Sequence, residues 1–438
     1  MRVVVIGAGH VGLVTAGALA TVGHHVVAVD EDEEKIRALA NGAPPFFEPG
    51  LEELIDGAMS SGCLRFAVEP ADALGDAEVV FLCVGTPARA SGETNLVSVE
   101  RAARSIAAHL AGPVVVVEKS TVPAGTADRL LQVLRLQRPD LAAEIEVVSN
   151  PEFLREGHAV DDALRPDRIV VGARSARGFE TMRRLYDPLI RQGVRLIETD
   201  IPTAELAKHA CNAFLALKIS YANALARLCE RAGADVTVVA DVMGSDPRIG
   251  RPFLDAGLGY GGYCFPKDLQ ALDRLAAGLG YDFRVLREVE RVNDEAVTAA
   301  VVKVKDALWN LDEKRIALLG LAFKPDTDDV RFSPSLVLAR RLLDEGADVV
   351  GYDPHAGANA KSELQELTVA PSAYEAVEGA HCLVVCTEWD EFRSLDLERV
   401  RTLLAQPVVV DARNLFDPTE MRAMGFIYQG AGRPGGVS

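Results

Sequence analysis

Hydrophobic and polar positions in the first third of the chain alternate between two periods. Short β-branched runs predict strands, and the stretches between them carry apolar residues at helical spacing. Alternating strands and helices predict a parallel sheet with helices on both faces. The predicted strands are Arg2–Gly7, His24–Asp30, Glu78–Val84, Pro113–Glu118 and Glu144–Ser149.

The middle of the chain predicts helices instead of a sheet. One helical pattern covers Pro202–Ala234, where Thr203 can cap its start and Gly233 can end it. About thirty residues make a helix of roughly 45 Å, which is too long for a simple crossover. We interpret it as a spine between domains and between subunits. Further helical patterns follow over 235–310, interrupted by the glycine-rich segment Gly257–Lys267.

The last third repeats the strand pattern of the first. Its predicted strands are Arg315–Gly320, Ala347–Asp353, Cys382–Cys386 and Val408–Asp411. We therefore predict an α/β fold with two Rossmann-like doubly wound domains, joined by the long central helix and a helical middle segment. The predicted divisions are 1–200, 201–310 and 311–430, followed by a flexible tail at 431–438.

Composition and charge exclude several classes of function. The chain of 438 residues has a net charge of −18, which argues against nucleic-acid or membrane-surface partners. No run reaches the roughly 18–20 apolar residues of a membrane helix, and we expect no signal peptide because the opening apolar run is too short for one. The seven cysteines form no C-x-x-C pair, which is typical of a reducing cytoplasm. We expect a cytoplasmic protein without a metal site.

The first predicted strand leads into a glycine fingerprint, Gly7-Ala-Gly9-His-Val-Gly12. The first glycine permits a tight turn, the second lets a diphosphate approach the backbone, and the third allows close helix packing. Asp30 ends the second strand, where its carboxylate can bind ribose hydroxyls and repel a 2′-phosphate. The pattern predicts NAD as the cofactor. The second Rossmann-like domain lacks the glycine triplet, so we expect it to bind no dinucleotide.

Four further clusters carry candidate chemistry. Cys264 lies among glycines and precedes Lys267 and Asp268; a nearby cation favours the thiolate, but spacing alone leaves a buried thiol equally open. The other clusters are Glu152 with Glu156 after a strand, Lys208 with Asn212 on one helix face, and the charged loop Phe323–Arg331. Spacing alone leaves solvated surface positions open for each of these.

Taken together, these motifs resemble the UDP-glucose/GDP-mannose dehydrogenase family. The resemblance covers nearly the whole chain in the family's order. Its matching stretches are Gly7–Leu13, Phe47–Leu51, Gly85–Pro87, Lys119–Thr126, Asn150–Gly157, Lys208–Asn212, Gly261–Asp268 and Phe323–Arg331.

The resemblance implies oxidation of a nucleotide sugar's primary alcohol to a carboxylate with two NAD molecules. Asp268 and Lys208 would hold the water that takes the alcohol proton, and Lys208 with Asn212 would stabilise the oxyanion. Cys264 would attack the aldehyde to give a thiohemiacetal and then a thioester. Glu152, helped by Thr121, would act as the general base of hydrolysis.

The resemblance also implies two sets of binding residues and a homodimer or higher homo-oligomer. Arg248 would reach the partner subunit's substrate. The NAD site would contain Gly7, Gly9, Val11, Gly12, Asp30, Lys35, Thr86, Thr121, Glu156, Lys267 and Arg331. The sugar-nucleotide site would contain Glu152, Phe153, Leu154, Arg155, Lys208, Asn212, Arg248, Phe253, Leu254, Asp255, Ala256, Gly257, Gly261 and Lys324.

The chain departs from the family's usual pattern at Asn95, Ala224, Leu258 and Tyr263, and bulky Tyr263 is next to the candidate thiol. By resemblance, Phe47–Gly50 and Cys264–Lys267 favour UDP-glucose as the substrate. The alternatives are GDP-mannose or a UDP-N-acetylhexosamine. A non-catalytic NAD or nucleotide-sugar binder, and a 2-hydroxy-acid or 6-phosphogluconate-type dehydrogenase, are the competing classes.

Overall fold

The computed structural model describes residues 1–89 and 91–434. It divides into two compact units. The N-terminal unit comprises 1–211 together with 270–281, and the C-terminal unit comprises 212–269 together with the described residues from 282 onward. The last four residues of the predicted flexible tail lie outside the described part. The three-way division proposed from the sequence stays a prediction.

The N-terminal unit contains a sheet whose strand order in its described residues is β3-β2-β1-β4-β5-β6-β7-β8. All five strands predicted here are confirmed, with ends shifted by at most two residues. The strands are β1 Arg2–Ile6, β2 His25–Val29, β3 Leu64–Ala67, β4 Val79–Leu82, β5 Val114–Glu118, β6 Ile145–Ser149, β7 Arg168–Gly172 and β8 Arg195–Thr199.

The five predicted strands pair in parallel, as expected, but the sheet continues past them through one antiparallel junction. β7 joins β6 in the antiparallel sense through Ser149 and Gly172, whereas the other neighbouring pairs in this sheet are parallel. β7 and β8 therefore form a parallel pair that runs against the rest. The local pattern of a strand does not encode the direction of its neighbour, so sequence periodicity gave no sign of this reversal.

Side chains of the central strands alternate between two apolar layers. Val3 and Val5 of β1 belong to one buried cluster, and Val4 and Ile6 belong to another. Burial on both faces explains the continuous apolar runs in the sequence. The helices that cover the faces are α1 His10–Thr21, α2 Glu33–Ala40, α3 Leu51–Ser60, α4 Ala71–Leu74, α5 Val97–His109, α6 Thr126–Gln137, α7 Ala159–Leu164 and α8 Ala176–Ile190.

The predicted long helix is confirmed as α9, Ile201–Ala232. Gly233 follows it with φ +71°, as expected of a helix end. The predicted cap at Thr203 is wrong, because Asp200 accepts hydrogen bonds from the amide and the hydroxyl of Thr203. Asp200, about one turn earlier, accepts a backbone amide that has no partner within the helix, which is the role of an N-terminal cap. The helices that follow are α10 Val236–Gly244, α11 Cys264–Gly278 and α12 Arg284–Leu308.

The predicted glycine-rich interruption is therefore placed too late, since α11 already begins at Cys264 and the break covers 245–263. None of the helices in the described ranges is long and apolar enough to cross a membrane.

The C-terminal unit contains an all-parallel sheet with the order β11-β10-β9-β12-β13-β14 among its described residues. This order matches that of the first six strands of the N-terminal sheet, so the second Rossmann-like fold is confirmed. Its strands are β9 Arg315–Leu319, β10 Asp348–Tyr352, β11 Thr368–Val369, β12 Cys382–Val385, β13 Val408–Asp411 and β14 Ile427–Gly430. Its remaining helices are α13 Pro334–Asp344, α14 Gly357–Glu363, α15 Ala373–Val377, α16 Asp390–Arg393, α17 Leu397–Leu403 and α18 Pro418–Ala423.

Candidate active site

The glycine fingerprint forms the turn between β1 and α1. A Cβ atom on Gly7 would lie 2.5 Å from the carbonyl oxygen of Cys83, and one on Gly12 would lie 1.8 Å from that of Gly7. A Cβ on Gly9 would meet nothing within 4 Å. The first and third glycines therefore allow tight packing, and the second faces open space. This arrangement fits a dinucleotide, whose diphosphate needs close access to a helix N-terminus.

Asp30 follows β2 and holds the same turn together. Its Oδ2 accepts the Ala8 amide at 2.8 Å, and its Oδ1 accepts the Lys35 ammonium at 3.0 Å. Both Asp30 and Lys35 were predicted to contact NAD, and they pair with each other here. An aspartate at the end of the second strand is placed to bind ribose hydroxyls.

Two more predicted NAD residues are joined by a hydrogen bond. The hydroxyl of Thr86, after β4, donates to the carbonyl oxygen of Thr121, after β5, at 2.9 Å. Thr86 is buried and Thr121 is half-buried. Val11 is half-buried in the first turn of α1. These residues follow the carboxyl ends of parallel strands, the edge at which open α/β sheets bind ligands.

The segment after β6 places Glu152 against Lys208. Glu152 Oε1 lies 2.8 Å from the Lys208 ammonium, and its Oε2 accepts the Leu154 amide at 2.6 Å. Both charged side chains are buried. A buried charge needs a partner of opposite sign. The sequence placed these residues in separate clusters, and the fold joins them into one ion pair.

The aromatic ring of Phe153 lies beside the same ion pair. The Lys208 ammonium is 5.4 Å from the ring centroid, and the Arg168 guanidinium carbon is 4.0 Å from it. Arg155, another predicted substrate residue, instead directs its guanidinium to Asp162, with two hydrogen bonds of 2.9 and 2.6 Å. Glu156 follows in the loop before α7.

Sequence reasoning missed Lys119 and Asn150 as individual site residues. Burial lowers the pKa of Lys119, and the charge of Glu152 partly offsets that effect. The Lys119 ammonium donates to Asn150 Oδ1 at 3.3 Å, and the Tyr186 hydroxyl donates to the same oxygen. Both residues lie within stretches that carried the family resemblance, and that was the available signal.

In the C-terminal unit, the fully buried Asp268 accepts hydrogen bonds from two predicted site residues. Asn212 Nδ2 donates to Asp268 Oδ2 at 2.6 Å, and the Lys267 ammonium donates to Oδ1 at the same distance. Lys267 was predicted as an NAD residue, yet its ammonium pairs with the predicted catalytic aspartate. Charge-assisted bonds of this kind fix both carboxylate oxygens in direction.

Cys264 is the first residue of α11. The dipole at the start of a helix favours a thiolate, which is the nucleophilic form of cysteine. The glycines before it are required sterically: a Cβ on Gly262 would lie 2.8 Å from the Phe323 ring, and one on Gly261 would lie 2.4 Å from the Phe332 carbonyl oxygen. These glycines allow the backbone that leads to Cys264 to pass close to the 323–332 loop.

The ring of Tyr263 forms cation–π contacts with two predicted NAD residues. Its ring centroid is 4.5 Å from the Arg331 guanidinium carbon and 5.6 Å from the Lys267 ammonium. Arg331 also forms an ion pair with Asp329. Lys324, a predicted substrate residue, lies 5.9 Å from the Phe323 ring centroid.

The predicted substrate segment 253–257 is partly buried. Leu254 and Ala256 are buried, and the Gly257 amide donates to Asn223 Oδ1 at 2.8 Å. Phe253 is half-buried, whereas Asp255 is exposed and pairs with Arg251 at 2.7 Å. A Cβ on Gly257 would lie 2.6 Å from the Ala412 carbonyl oxygen and 3.2 Å from Arg413 Nη1.

Arg413 is a further cation that the sequence reasoning missed. It follows β13, and its Nε donates to the Cys386 carbonyl oxygen at 2.8 Å. The missed signal was its position after a strand's carboxyl end, the ligand-binding edge of such sheets. The remaining predicted cation, Arg248, is largely exposed and pairs with Asp246 at 2.6 Å. Among the residues that the structure describes, no cluster of His, Cys, Asp and Glu is arranged to hold a metal ion.

Three sequence models of one family match the chain in succession. The models describe the UDP-glucose/GDP-mannose dehydrogenase family: its NAD binding domain matches residues 1–190, its central domain 202–295, and its UDP binding domain 317–418.

Similar proteins and structures carry related names. A UDP-glucose 6-dehydrogenase of Pseudomonas aeruginosa is 45% identical, over 99% of this chain and 98% of that protein. One of Rhizobium meliloti is 46% identical, over 99% and 100%. The solved structure of a UDP-glucose dehydrogenase from Pyrobaculum islandicum is 37% identical with a TM-score of 0.91, covering 98% of this chain and 97% of that chain. A UDP-D-ManNAc dehydrogenase from Pyrococcus horikoshii is 28% identical with a TM-score of 0.87, and both chains are fully covered.

Proposed function

The chain belongs to the UDP-glucose/GDP-mannose dehydrogenase family, and on this basis we propose that it oxidises UDP-glucose to UDP-glucuronate with NAD. The observation that carries the proposal is the 45–46% identity, over 99% of the chain, to two proteins named UDP-glucose 6-dehydrogenase. The thiol at the start of α11 and the two buried carboxylate networks support the chemistry.

The N-terminal unit binds the cofactor through the turn between β1 and α1. Gly9 leaves space for the diphosphate, and Asp30 exchanges the Lys35 ammonium for the ribose hydroxyls. A carboxylate at that position repels a 2′-phosphate, which selects NAD over NADP. The bound nicotinamide supplies one kind of chemistry, acceptance of a hydride.

The first oxidation removes a hydride and a proton from the sugar's primary alcohol. A water held by Asp268 and Lys208 takes the proton, and Lys208 with Asn212 stabilises the developing oxyanion. The hydrogen bonds to Asp268 fix the direction of its carboxylate before the substrate arrives. This step yields an aldehyde, one NADH and one proton.

The second oxidation proceeds on Cys264. Its thiolate adds to the aldehyde carbon, and protonation of the oxygen gives a thiohemiacetal. Loss of a second hydride and the hydroxyl proton gives a thioester. Glu152, helped by Thr121, then activates the water that cleaves the carbon–sulfur bond. The balance is one alcohol, two NAD and one water converted into one carboxylate, two NADH and three protons, with the Cys264 thiol regenerated.

We infer in addition that the chain forms a homodimer through α9. Phe214, Tyr221 and Leu228 follow one another at seven-residue spacing on this helix, and more than half of each side chain is exposed. Seven residues are close to two turns, so the three side chains form one apolar stripe. Exposed apolar stripes mark protein interfaces. Light scattering should show a dimer for the wild type and a shift toward monomer for Leu228→Glu; an unchanged dimer in that variant would place the interface elsewhere.

The experiment that tests the activity combines a substrate panel with cofactor stoichiometry. Initial rates are measured on UDP-glucose, GDP-mannose and UDP-N-acetylhexosamines, and the NADH formed per sugar is counted. We expect UDP-glucose to react fastest and to yield two NADH. Activity with GDP-mannose alone would overturn the substrate assignment.

The covalent step is tested with Cys264→Ser, and Cys63→Ser provides the matched control because Cys63 is a half-buried thiol before β3. We expect the Cys264 variant to lose at least about 10³-fold in turnover, because removal of a nucleophile costs several powers of ten. The control should retain the wild-type rate. Uronate formation by Cys264→Ser at the wild-type rate would exclude the thioester.

A further inference from the structure

His10 occupies the position between the second and third glycines of the fingerprint. Its Nε2 lies 2.8 Å from Glu48 Oε2, and its ring packs against Phe46 with centroids 5.0 Å apart. The Glu48 side chain is fully buried, whereas 21% of the His10 side chain is exposed. Burial by itself lowers the pKa of His10, but the hydrogen bond to Glu48 and the charges of Glu156, Glu48 and Glu152 outweigh burial and raise that pKa.

Glu48 connects this ring to the segment that carries two candidate site residues. Its Oε2 also accepts the Gly157 amide at 2.7 Å, and its Oε1 accepts the Ala159 amide at 2.7 Å. One buried carboxylate thus joins the first turn of α1 to the end of the loop that contains Glu152 and Glu156. A carboxylate that accepts three hydrogen bonds holds its donors in fixed directions.

A cationic ring at the first residue of a helix faces the positive end of the helix dipole, which is unfavourable without an anion nearby. Glu48 supplies one negative charge from the buried side. His10 is the first residue of α1, the helix end at which a dinucleotide's diphosphate is expected. A second anion at that end would therefore stabilise the protonated form of the ring and be bound by it.

We propose that His10 is a positioning residue for NAD: held by Glu48, it binds the diphosphate and couples NAD binding to the segment that carries Glu152 and Glu156. This inference rests on the NAD dependence of the proposed function and not on the identity of the sugar. Because the diphosphate is common to NAD and NADH, His10 strengthens binding of both. The charged groups that face His10 are the carboxyl groups of Glu48, Glu152 and Glu156.

The sign of the pH dependence follows from the charge of the ring. Below its raised pKa, His10 is an imidazolium and attracts the diphosphate. As the pH rises through that pKa, the charge is lost and binding weakens. Calorimetric titration with NAD, and with ADP as a probe of the diphosphate subsite, at pH 6 and pH 9 should show about 5- to 10-fold weaker binding at the higher pH, in line with the conversion of one charged hydrogen bond into a neutral one.

Two variants separate charge from structure. His10→Gln retains a donor toward Glu48 but cannot carry charge, so its affinity should be low and independent of pH. His10→Phe retains the ring against Phe46 but offers Glu48 no donor, so it should also expose the Gly157 and Ala159 amides to faster hydrogen exchange. His109→Gln is the control, since His109 is exposed on α5 and bonds to the Ser105 carbonyl oxygen. It should bind NAD like the wild type.

Three results would overturn the proposal. The first is a pH dependence in His10→Gln equal to that of the wild type, and the second is wild-type binding that does not change with pH. The third is amide hydrogen exchange at Gly157 and Ala159 that does not slow when NAD binds the wild type. Binding is measured without any sugar, so failure to oxidise UDP-glucose would refute the proposed substrate and leave this inference intact.

Discussion

The turn after β1 and the turn after β9 begin alike. Gly7 and Gly320 both adopt left-handed backbone conformations, with φ +100° and +96°. In each sheet an aspartate follows the next strand, Asp30 after β2 and Asp353 after β10. Asp30 accepts the Ala8 amide, and Asp353 accepts the corresponding amide of Leu321 at 2.7 Å.

The two aspartates differ in what else they bind. Asp353 is buried, and its Oδ2 also accepts the Ala322 amide at 3.0 Å and the Trp389 indole at 3.2 Å. Asp30 instead binds the ammonium of Lys35, a partly exposed side chain that can move away. An aspartate bound to its own turn and a buried indole closes that turn. One balanced by a flexible lysine can exchange its partner for ribose hydroxyls.

The residue two positions after the first glycine also differs between the open turn and the closed one. A Cβ on Gly9 would meet open space, whereas Ala322 occupies the equivalent position, is fully buried and accepts a hydrogen bond from the Thr387 hydroxyl at 2.9 Å. One topology thus supports an open turn and a filled one. The comparison teaches that dinucleotide binding depends on what the turn leaves unfilled, and not on the strand order.

The largest effect is expected when the closely packed glycine of the open turn is changed. Gly12→Ala would place a Cβ 1.8 Å from the Gly7 carbonyl oxygen, so we expect a loss of at least about 3 kcal/mol in the free energy of unfolding. Gly9→Ala should leave that free energy unchanged and weaken NAD binding at least about tenfold, because the methyl group would occupy the diphosphate's space. Urea unfolding and calorimetry measure the two effects. Equal destabilisation by both variants would mean that the turn has no open side.

Removing each of the two aspartates in turn gives the next largest effect. Asp353→Ala would leave buried donors of Leu321, Ala322 and Trp389 without an acceptor, at a cost of about 2–4 kcal/mol in stability. NAD affinity of the folded variant should not change. Asp30→Ala should instead lower NAD affinity about 10- to 100-fold and reduce the preference over NADP, with little change in stability. Denaturant titration and binding of both dinucleotides test this, and loss of NAD binding in Asp353→Ala would contradict it.

The smallest expected effect concerns Glu118 and Asp411, the acidic residues that end β5 and β13. Burial raises the pKa of Glu118 well above its ordinary range, and Glu205 adds to that shift. The folded protein therefore keeps a proton that the unfolded chain releases, so stability falls as the pH rises above the ordinary glutamate range. Glu118→Gln should lack this fall and be more stable than the wild type by about 1 kcal/mol at pH 8, as measured by thermal unfolding between pH 5 and pH 8.

Asp411 provides the contrast for that prediction. Burial raises its pKa too, but its carboxylate accepts the Phe416 amide and the Tyr428 hydroxyl. Asp411→Asn should therefore lower stability throughout the pH range, since an amide replaces one acceptor oxygen. If Glu118→Gln also lowered stability throughout the range, Glu118 would be a hydrogen-bond acceptor of the same kind.

Local pattern was sufficient for much of this fold. The central strands and α9 carry uninterrupted apolar or helical runs, and the glycine fingerprint defines its own turn. Strands β3, β7, β8, β11 and β14 were not predicted. In β3 and β8, charged residues such as Arg65, Arg195 and Glu198 break the apolar pattern. The cap at Asp200 was misassigned because aspartate and threonine are both good caps, and their competition is decided by geometry.

The sequence identified individual residues of the candidate site but not the pairs that they form. The sequence marked Glu152, Lys208, Asn212 and Asp268, yet the ion pair of Glu152 with Lys208 joins residues 56 positions apart, and so does the bond of Asn212 with Asp268. Contacts over such separations depend on how the sheet and helices pack. Arg413 differs from these pairs, because its position after the carboxyl end of β13 was a local signal that was not used.

Residues 270–281 belong to the N-terminal unit, although the chain reaches them only after it has passed through 212–269 of the other unit. During synthesis, the N-terminal unit therefore cannot be completed when Cys211 leaves the ribosome. At about 5–20 residues per second, it waits several seconds for its last segment. A gene divided after codon 211 would yield a first polypeptide that lacks 270–281 of the N-terminal unit, and a second that carries this segment inside the C-terminal unit.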